Sequence, residues 1–330
     1  MLRWLLAVLV LPTVASAALA QDIASPAAPM LVKSTYAPLG LYAPDAVTPL
    51  FLSINPAAAA LATRLAHAEQ GAEFDYIAIG PKNGPSVSVP ISSVFFRVGQ
   101  VDMRLSYYDI SSGTAPALVS EGLPVKFGGN AWEISAATLL SDGKGAVGVA
   151  FLPRDESWIS IGDGLVSGRA ESRLQARAGV LHHLDERRRW TGGLVISYED
   201  DDAYVDVSPL LTGLPEIVKL NGDYLIRTGI AGLTYQPRVG TTVFANYTYQ
   251  TIKGPDVDRS VKVPYYGVTQ FFNPRAGVSL GYVDAGKTAS IFYADKRLQA
   301  SLGYTYKSFQ TVRQYVGRSN TLWVTLSYAR

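Results

Sequence analysis

The sequence has no cysteine and few histidines, and these absences exclude several kinds of site. With no cysteine among its 330 residues, the chain can form no disulfide, no thiolate nucleophile and no cysteine-based metal centre. Three histidines, His67, His182 and His183, are too few for a typical multi-histidine metal centre. Adjacent positions on a strand face opposite sides, so His182 and His183 cannot bind one ion together. The sequence therefore predicts no metal site and no cofactor.

Neither sign of charge dominates, and long apolar runs are missing after the start of the chain. Lys and Arg number 29 against 27 Asp and Glu, which gives a net charge of +2. Nucleic-acid-binding surfaces need clustered Lys and Arg, so we expect no nucleic-acid partner. At 48% hydrophobic residues, the chain is too apolar to be disordered. No later segment approaches the roughly 18 to 20 apolar residues that a helix needs to cross a bilayer.

Residues 1–20 have the three parts of a secretory signal peptide. Arg3 supplies the positive charge, residues 5–11 form a short apolar stretch, and residues 18–20 match an A-x-A cleavage site. We therefore predict export and cleavage after Ala20; the alternative is an uncleaved N-terminal anchor. An exported chain without membrane-spanning helices is either soluble or embedded in a membrane as a β-barrel.

Residues 21–72 form an Ala- and Pro-rich segment that contains one predicted helix. Asn55 is a favourable N-cap and Pro56 suits the first turn, so we predict a helix over residues 56–70, before Gly71. Its apolar side is mostly Ala, too weak to hold it on a membrane surface, and we expect it to plug a barrel. The alternative is a helix attached loosely to the barrel rim. The candidate plug residues are Asn55, Pro56, Leu61, Arg64, Leu65 and Glu69.

From Glu73 onward, apolar and polar residues alternate with the period of a β-strand. Near the C-terminus, Leu322, Val324, Leu326 and Tyr328 alternate with Trp323, Thr325, Ser327 and Ala329. Runs of about ten residues cross a bilayer at a tilt, and polar faces of Gly, Ser, Thr, Asn and Gln suit a hydrated interior. We therefore predict an all-β transmembrane antiparallel barrel of about 12–14 strands over residues 73–330. The alternative is a secreted soluble β-sandwich.

Charged residues within the predicted strands are expected to face the barrel interior. Arg173 and Arg177 share a strand face with Gln175. A charge that faces lipid at mid-depth costs several kcal/mol, so we predict that all three residues line the lumen. Residues 200–222 are polar and are expected to form a long outer loop. The acidic run 199–202 is interpreted as part of that solvated loop, with a calcium site as the alternative.

Residues 53–62, Ser-Ile-Asn-Pro-Ala-Ala-Ala-Ala-Leu-Ala, resemble the N-terminal segment of the outer-membrane long-chain fatty-acid transporter superfamily. In that superfamily the segment follows the signal peptide, belongs to a plug and precedes the first strand. Residues 232–243 also resemble a hairpin of that group. The resemblance implies a fourteen-stranded barrel with a plug and a hydrophobic cargo. Without the resemblance, Asn55 and Pro56 are explained as a helix cap alone.

A passive channel or transporter for small or hydrophobic molecules is the function that these features favour. We expect it in the outer membrane of a Gram-negative bacterium, surrounded by outer-membrane lipid and lipopolysaccharide, with a small hydrophobic ligand. The sequence has no G-x-S-x-G nucleophile motif, and we expect no enzymatic activity. Two alternatives stay open: a structural or assembly barrel with a filled lumen, and an enzyme that modifies outer-membrane lipid.

Overall fold

The computed structural model describes residues 55–57, 70–81, 87–112, 115–116, 124–141, 144–161, 164–186, 189–208, 218–238, 240–255, 257–272, 275–283, 286–294, 298–308 and 319–329. Pro56 and Ala57 are helical, and the other regular elements in these ranges are β-strands. Within the same ranges, no helix has the length and apolar character needed to span a membrane.

Fifteen strands follow one another along the described chain. They are β1 (Gln70–Pro81), β2 (Val87–Val98), β3 (Val101–Ser112), β4 (Ala115–Pro116), β5 (Pro124–Leu139), β6 (Gly145–Ile161), β7 (Val166–His183), β8 (Trp190–Val207), β9 (Val218–Arg238), β10 (Thr241–Gly254), β11 (Val257–Phe271), β12 (Ala276–Val283), β13 (Gly286–Ala294), β14 (Leu298–Ser308) and β15 (Ser319–Ala329). The two-residue β4 lies beside β5, and the other fourteen described strands form the wall.

The wall closes into an antiparallel barrel. β1 pairs with β15, where Gly71 lies opposite Ala329, and β3 pairs with β5 past the short β4. Each of these wall strands is therefore hydrogen-bonded on both sides, which satisfies its backbone groups without water. The predicted barrel is thus confirmed, with fourteen strands. It begins at Gln70, which already pairs with Phe96 of β2, rather than at Glu73, so the helix expected over residues 56–70 cannot include Gln70.

Many polar side chains are buried in the interior of the barrel, and many large apolar side chains are exposed on its outer face. On β10, Asn246 and Thr248 are buried, whereas Tyr247 and Tyr249 are 47% and 43% exposed. A soluble sandwich buries its apolar residues and exposes its polar ones, so this distribution is the reverse of what water favours. The outer face of the barrel is therefore suited to lipid.

The wall is taller on one side than on the other. β7, β8 and β9 contain 18, 18 and 21 residues, whereas β12 and β13 contain 8 and 9. The segment 200–222, expected as an outer loop, is mostly strand, because β8 continues to Val207 and β9 starts at Val218. The acidic run 199–202 still alternates, with Glu199 and Asp201 buried on the inner face. The polarity of this segment predicts a loop, but pairing with the neighbouring strands extends the sheet through much of it.

The two rims of the barrel differ in the length of their connections. β1 begins and β15 ends at one rim, here called the terminal rim, where the connections between described strands have at most six residues. At the opposite rim, the connections 208–217 and 309–318 have ten residues each. Outer-membrane barrels have short periplasmic turns and long outer loops, so we expect the terminal rim to face the periplasm.

An outward-facing residue on β8 provides a direct test of lipid exposure. Ile196 is 60% exposed and shares its face with Leu194, which is 50% exposed. Ile196→Arg should destabilise the barrel by about 2–4 kcal/mol if that face contacts lipid, and hardly at all if it contacts water. Urea unfolding in phosphatidylcholine vesicles measures the difference. Leu184→Arg, at a position 60% exposed in a rim turn, is the control and should cost at most about 1 kcal/mol. Equal small effects would contradict a lipid-facing wall.

Candidate functional site in the barrel interior

Residues 55–57 lie inside the barrel, against the inner face of β6 and β7. Asn55 is 4% exposed and Ala57 is fully buried. The Asn55 Nδ2 donates a 3.5 Å hydrogen bond to the carbonyl of Val180. The Asn55 Oδ1 accepts a 3.2 Å hydrogen bond from the Ala57 N–H, which is the bond of a helix N-cap. One side chain thus caps the start of the helix and attaches it to the wall.

Two glycines make room for this segment. A Cβ added at Gly148 would lie 2.4 Å from the Ala57 amide nitrogen, and one added at Gly179 would lie 2.3 Å from the Asn55 Oδ1. Gly148 on β6 pairs directly with Gly179 on β7, so the two form one patch of bare backbone. Glycine in a strand often marks a place where another backbone approaches closely. The docked segment therefore depends on the absence of side chains at both positions.

The outer face of the wall is also thin at this patch. Gly148 and Gly179 contribute to a shallow apolar furrow on that face, together with Ala178 and the bulkier Val149 and Ile196. Little more than one layer of backbone therefore separates the docked segment from the surroundings of the barrel.

A first buried ion pair joins β1 and β3. The Arg104 Nη2 lies 2.6 Å from the Glu73 Oε1, and both side chains are almost fully buried. Arg104 also donates hydrogen bonds to Ser93 at 3.0 Å and to Ser106 at 3.2 Å. Asp75, two positions along β1, faces the same way and is 1% exposed. The Arg104 guanidinium thus contacts side chains of β1, β2 and β3. The two carboxylates Glu73 and Asp75 lie on the same inner face.

A second buried ion pair reaches across β6, from β7 to β5. The Arg177 Nη2 contacts the Glu133 Oε2, and neither side chain is more than 2% exposed. Tyr108 on β3 donates a 3.0 Å hydrogen bond to the same carboxylate oxygen. The small Ala150 of β6 lies opposite Arg177 and leaves room for the contact. Buried charges are tolerated when they are paired and hydrogen-bonded, so this pair holds β3, β5 and β7 in one arrangement.

The candidate lumen residues on β7 do not all share one face. Gln175 and Arg177 face the interior and are 1% and 2% exposed. Arg173 instead has a side chain that is 53% exposed and pairs with Asp202 on the outer face. The β7–β8 register shifts at Arg173, and the extra residue of this bulge reverses the alternation. The bulge therefore separates Arg173 from the two residues with which the period-two pattern grouped it.

The rest of the predicted plug, residues 58–69, lies outside the described residues. The roles expected for Leu61, Arg64, Leu65 and Glu69 stay predictions, as does an ion pair between Glu69 and a lumen arginine. Asn55 and Pro56 lie in the interior, where Pro56 contacts the Gly148–Gly179 patch.

The structure describes no site built for a metal ion. His183 is buried, and its Nδ1 lies 3.0 Å from the Thr191 Oγ1. In the described ranges, no group of three or more His, Asp or Glu side chains is arranged to hold a metal. The acidic run 199–202 is split between the two faces of β8, because neighbouring strand residues point to opposite sides.

On the opposite side of the barrel, the described interior is largely neutral and self-paired. Gln250 donates a 3.1 Å hydrogen bond to Thr228, and the hydroxyls of Thr305 and Thr288 lie 3.0 Å apart. The rings of Phe244 and Tyr265 pack with their centroids 4.9 Å apart on the same inner surface. Because these wall residues contact one another, the inner surface on this side of the barrel is less polar than its residue types alone indicate.

The residues predicted from the sequence to line the lumen do not include Glu73, Arg104 or Glu133 of the interior ion pairs. Glu73, Arg104 and Glu133 are charged residues that alternate with apolar, outward-facing neighbours along their strands, and that pattern could have identified them. The alternation pattern could not predict which residues pair, because Arg177 and Glu133 are 44 residues apart and their strands are not neighbours.

Comparisons with solved structures identify proteins that have the same fold as this chain. No family profile matches the sequence, and no curated protein matches it. The toluene transporter TbuX of Ralstonia pickettii aligns with a TM-score of 0.53 at 12% identity, over 89% of this chain and 97% of that one. A FadL homologue of Pseudomonas aeruginosa aligns with a TM-score of 0.51 at 10% identity, over 83% and 92%. The deltaS2 mutant of TodX, a monoaromatic hydrocarbon channel of Pseudomonas putida, aligns with a TM-score of 0.54 at 11% identity, over 84% and 93%.

The chain therefore has the fold of bacterial outer-membrane transporters of the FadL type. Identities of 10–12% establish the architecture only. The resemblance drawn from residues 53–62 to the long-chain fatty-acid transporter superfamily is confirmed at that level, since the barrel has fourteen strands.

Proposed function

We propose that this protein is a passive channel or transporter for small hydrophobic molecules in the outer membrane of a Gram-negative bacterium, exported by a cleaved signal peptide. The observation that carries the proposal is the docking of residues 55–57 on Gly148 and Gly179, inside a barrel with an apolar outer face. The described contact consists of one hydrogen bond to the wall and backbone packing.

The solved structures with the same fold support a small apolar cargo. TbuX is a toluene transporter, and TodX is a monoaromatic hydrocarbon channel. We extend this cargo class to the present chain as part of the proposal, without enzymatic activity. Outer-membrane lipid would surround the apolar face, and lipopolysaccharide phosphates would meet the exposed arginines Arg169 and Arg173 beyond it.

Cell fractionation tests the proposed location. The protein should be recovered with the outer membrane, and its N-terminus should be Gln21 after cleavage of residues 1–20. Edman sequencing or mass spectrometry of the purified protein measures the terminus. Recovery in the soluble periplasmic fraction after gentle lysis would contradict the membrane assignment, and an intact Met1 would contradict cleavage.

Uptake measurements test the proposed transport. Cells that lack other hydrocarbon channels should take up labelled toluene faster when they express this protein, whereas an unrelated outer-membrane barrel of similar size should have no effect. An inserted, folded barrel that accelerates neither toluene nor oleate uptake and has no conductance in planar bilayers would favour the structural alternative. A changed lipid profile on incubation with purified protein would favour the enzymatic alternative.

A further inference from the structure

Three neighbouring strands change from apolar to basic residues on their outer face, toward the opposite rim. The cations are Arg227 on β9, Lys253 on β10 and Lys262 on β11, and all three are exposed. Closer to the terminal rim, the outward residues of these strands are apolar or aromatic: Leu233, Ala231 and Gly229 on β9, Val243, Ala245, Tyr247 and Tyr249 on β10, and Val268, Tyr266 and Pro264 on β11. Charges on the outer face are tolerated near a membrane interface, where aromatic residues concentrate, so the three cations occupy the level of lipid headgroups.

The three basic side chains surround one position of the sheet. Arg227 pairs across the β9–β10 ladder with Thr251, and Lys253 is the next outward residue on β10. Lys262 pairs with Tyr249, the outward residue on the other side of Thr251. Diagonal neighbours on adjacent strands lie about 7–8 Å apart, so long side chains from three strands can reach one group above Thr251. We call Arg227, Lys253 and Lys262 the basic patch.

The basic patch keeps a net positive charge. Among the described residues, none of its three side chains forms an ion pair. Two outward carboxylates adjoin it: Asp258 lies opposite Lys253, and Asp200 on β8 lies diagonally across from Arg227. Three cations therefore face two neighbouring carboxylates that do not contact them, and the patch can bind an anion.

The exposed arginines of β7 lie toward the same rim but differ in this respect. Arg169 contacts Glu156 and Glu171. Arg173 contacts Asp202 and a second aspartate on β9. Each of these guanidinium groups thus has two carboxylate partners, whereas the basic patch has none, so an anion binds more favourably at the patch.

We propose that the basic patch binds a phosphate group of lipopolysaccharide, whose acyl chains lie along the apolar and aromatic residues of β10 and β11. Arginine and lysine are common phosphate ligands. The Lys262 ammonium lies 6.0 Å from the centroid of the Tyr249 ring, at the edge of that apolar surface. The patch lies toward the rim with the long connections, and lipopolysaccharide occupies the outer leaflet, which such a rim faces. This site rests on the proposed outer-membrane location and goes beyond the proposed cargo.

Native mass spectrometry of the purified full-length protein in detergent tests the site, with diphosphoryl lipid A as the probe. The wild type should bind lipid A more tightly than it binds phosphatidylglycerol or dephosphorylated lipid A. Arg227→Gln, Lys253→Gln and Lys262→Gln should each weaken lipid A binding about fivefold, and the triple variant about a hundredfold, because each removes one charge beside an anionic headgroup.

The matched control removes the same charge from the other end of the barrel. Lys144, Arg189 and Arg275 are exposed and lie at the terminal rim, next to the first residues of β6, β8 and β12. The triple variant Lys144→Gln, Arg189→Gln and Arg275→Gln should bind lipid A like the wild type. Heat-modifiable migration on gels establishes that both triple variants fold.

The outcomes separate the lipopolysaccharide site from the proposed location. Equal affinity of the wild type for lipid A and phosphatidylglycerol would overturn the site, as would equal lipid A binding by the wild type and the basic-patch variant. An equal loss in both triple variants would also overturn it, because total charge would then decide binding. A protein that fractionates with the outer membrane but does not bind lipid A would refute the site alone. Recovery of the wild type in the soluble periplasmic fraction would refute the location, and the site with it.

Discussion

Gly148→Val should increase the permeability of the barrel about as much as deletion of residues 22–69. The new Cβ would lie 2.4 Å from the Ala57 amide nitrogen and 2.6 Å from the Pro56 carbonyl carbon. Both contacts are with backbone, so no side-chain rotation relieves them and the docked segment must leave the wall. Gly179→Val should act in the same way through Asn55, whose Oδ1 would lie 2.3 Å from the new Cβ. Planar-bilayer conductance and sensitivity of cells to large antibiotics measure the change.

The control for this prediction is a glycine with free space around it. A Cβ added at Gly229 of β9 would meet nothing within 4 Å, so Gly229→Val should leave conductance at the wild-type value. If Gly148→Val folds, inserts and conducts like the wild type, then the docked segment does not restrict the lumen. The deletion of residues 22–69 provides the upper reference, because it removes the segment and ends just before β1.

Glu133→Leu should destabilise the barrel by about 3–5 kcal/mol, because it removes the carboxylate that contacts buried Arg177. The Tyr108 hydroxyl would lose its acceptor as well. Urea unfolding of the protein in lipid vesicles measures the change in unfolding free energy. The double variant Glu133→Leu with Arg177→Leu should recover most of the loss, because a buried ion pair replaced by apolar residues is often neutral.

An exposed ion pair gives the matched comparison. Glu156 lies 3.1 Å from Arg169, whose side chain is 56% exposed. Because solvent screens such a pair, Glu156→Gln should change the unfolding free energy by at most about 1 kcal/mol. Equal small effects of Glu133→Leu and Glu156→Gln would show that the interior is more hydrated than the burial of Arg177 indicates.

The barrel could be predicted because its signal is local. Each strand crosses from one rim to the other, so every second residue meets lipid and the residues between meet the interior. The alternation at Leu322, Val324 and Leu326 therefore reports the environment of that strand without reference to any other. The cap at Asn55 is local for the same reason, since its oxygen accepts a hydrogen bond from an amide two residues away.

Local patterns failed where pairing between strands overrides composition. The acidic residues after Tyr198 indicate a solvated loop, yet Asp200 and Asp201 continue β8 because β7 and β9 pair with them on both sides. Arg173 matches the period of Gln175 and Arg177, but a bulge that depends on the β8 register turns it outward. No property of these residues alone distinguishes the two outcomes.

The sequence by itself therefore determined a lipid-facing β-barrel with polar residues inside, since alternation depends on neighbouring residues only. Tertiary structure decided which interior groups meet. Gly148 and Gly179 are glycines like others in the strands until pairing of β6 with β7 places them together beneath Asn55 and Ala57. Register and barrel closure set these contacts, and both arise from hydrogen bonds between strands that are distant in the chain.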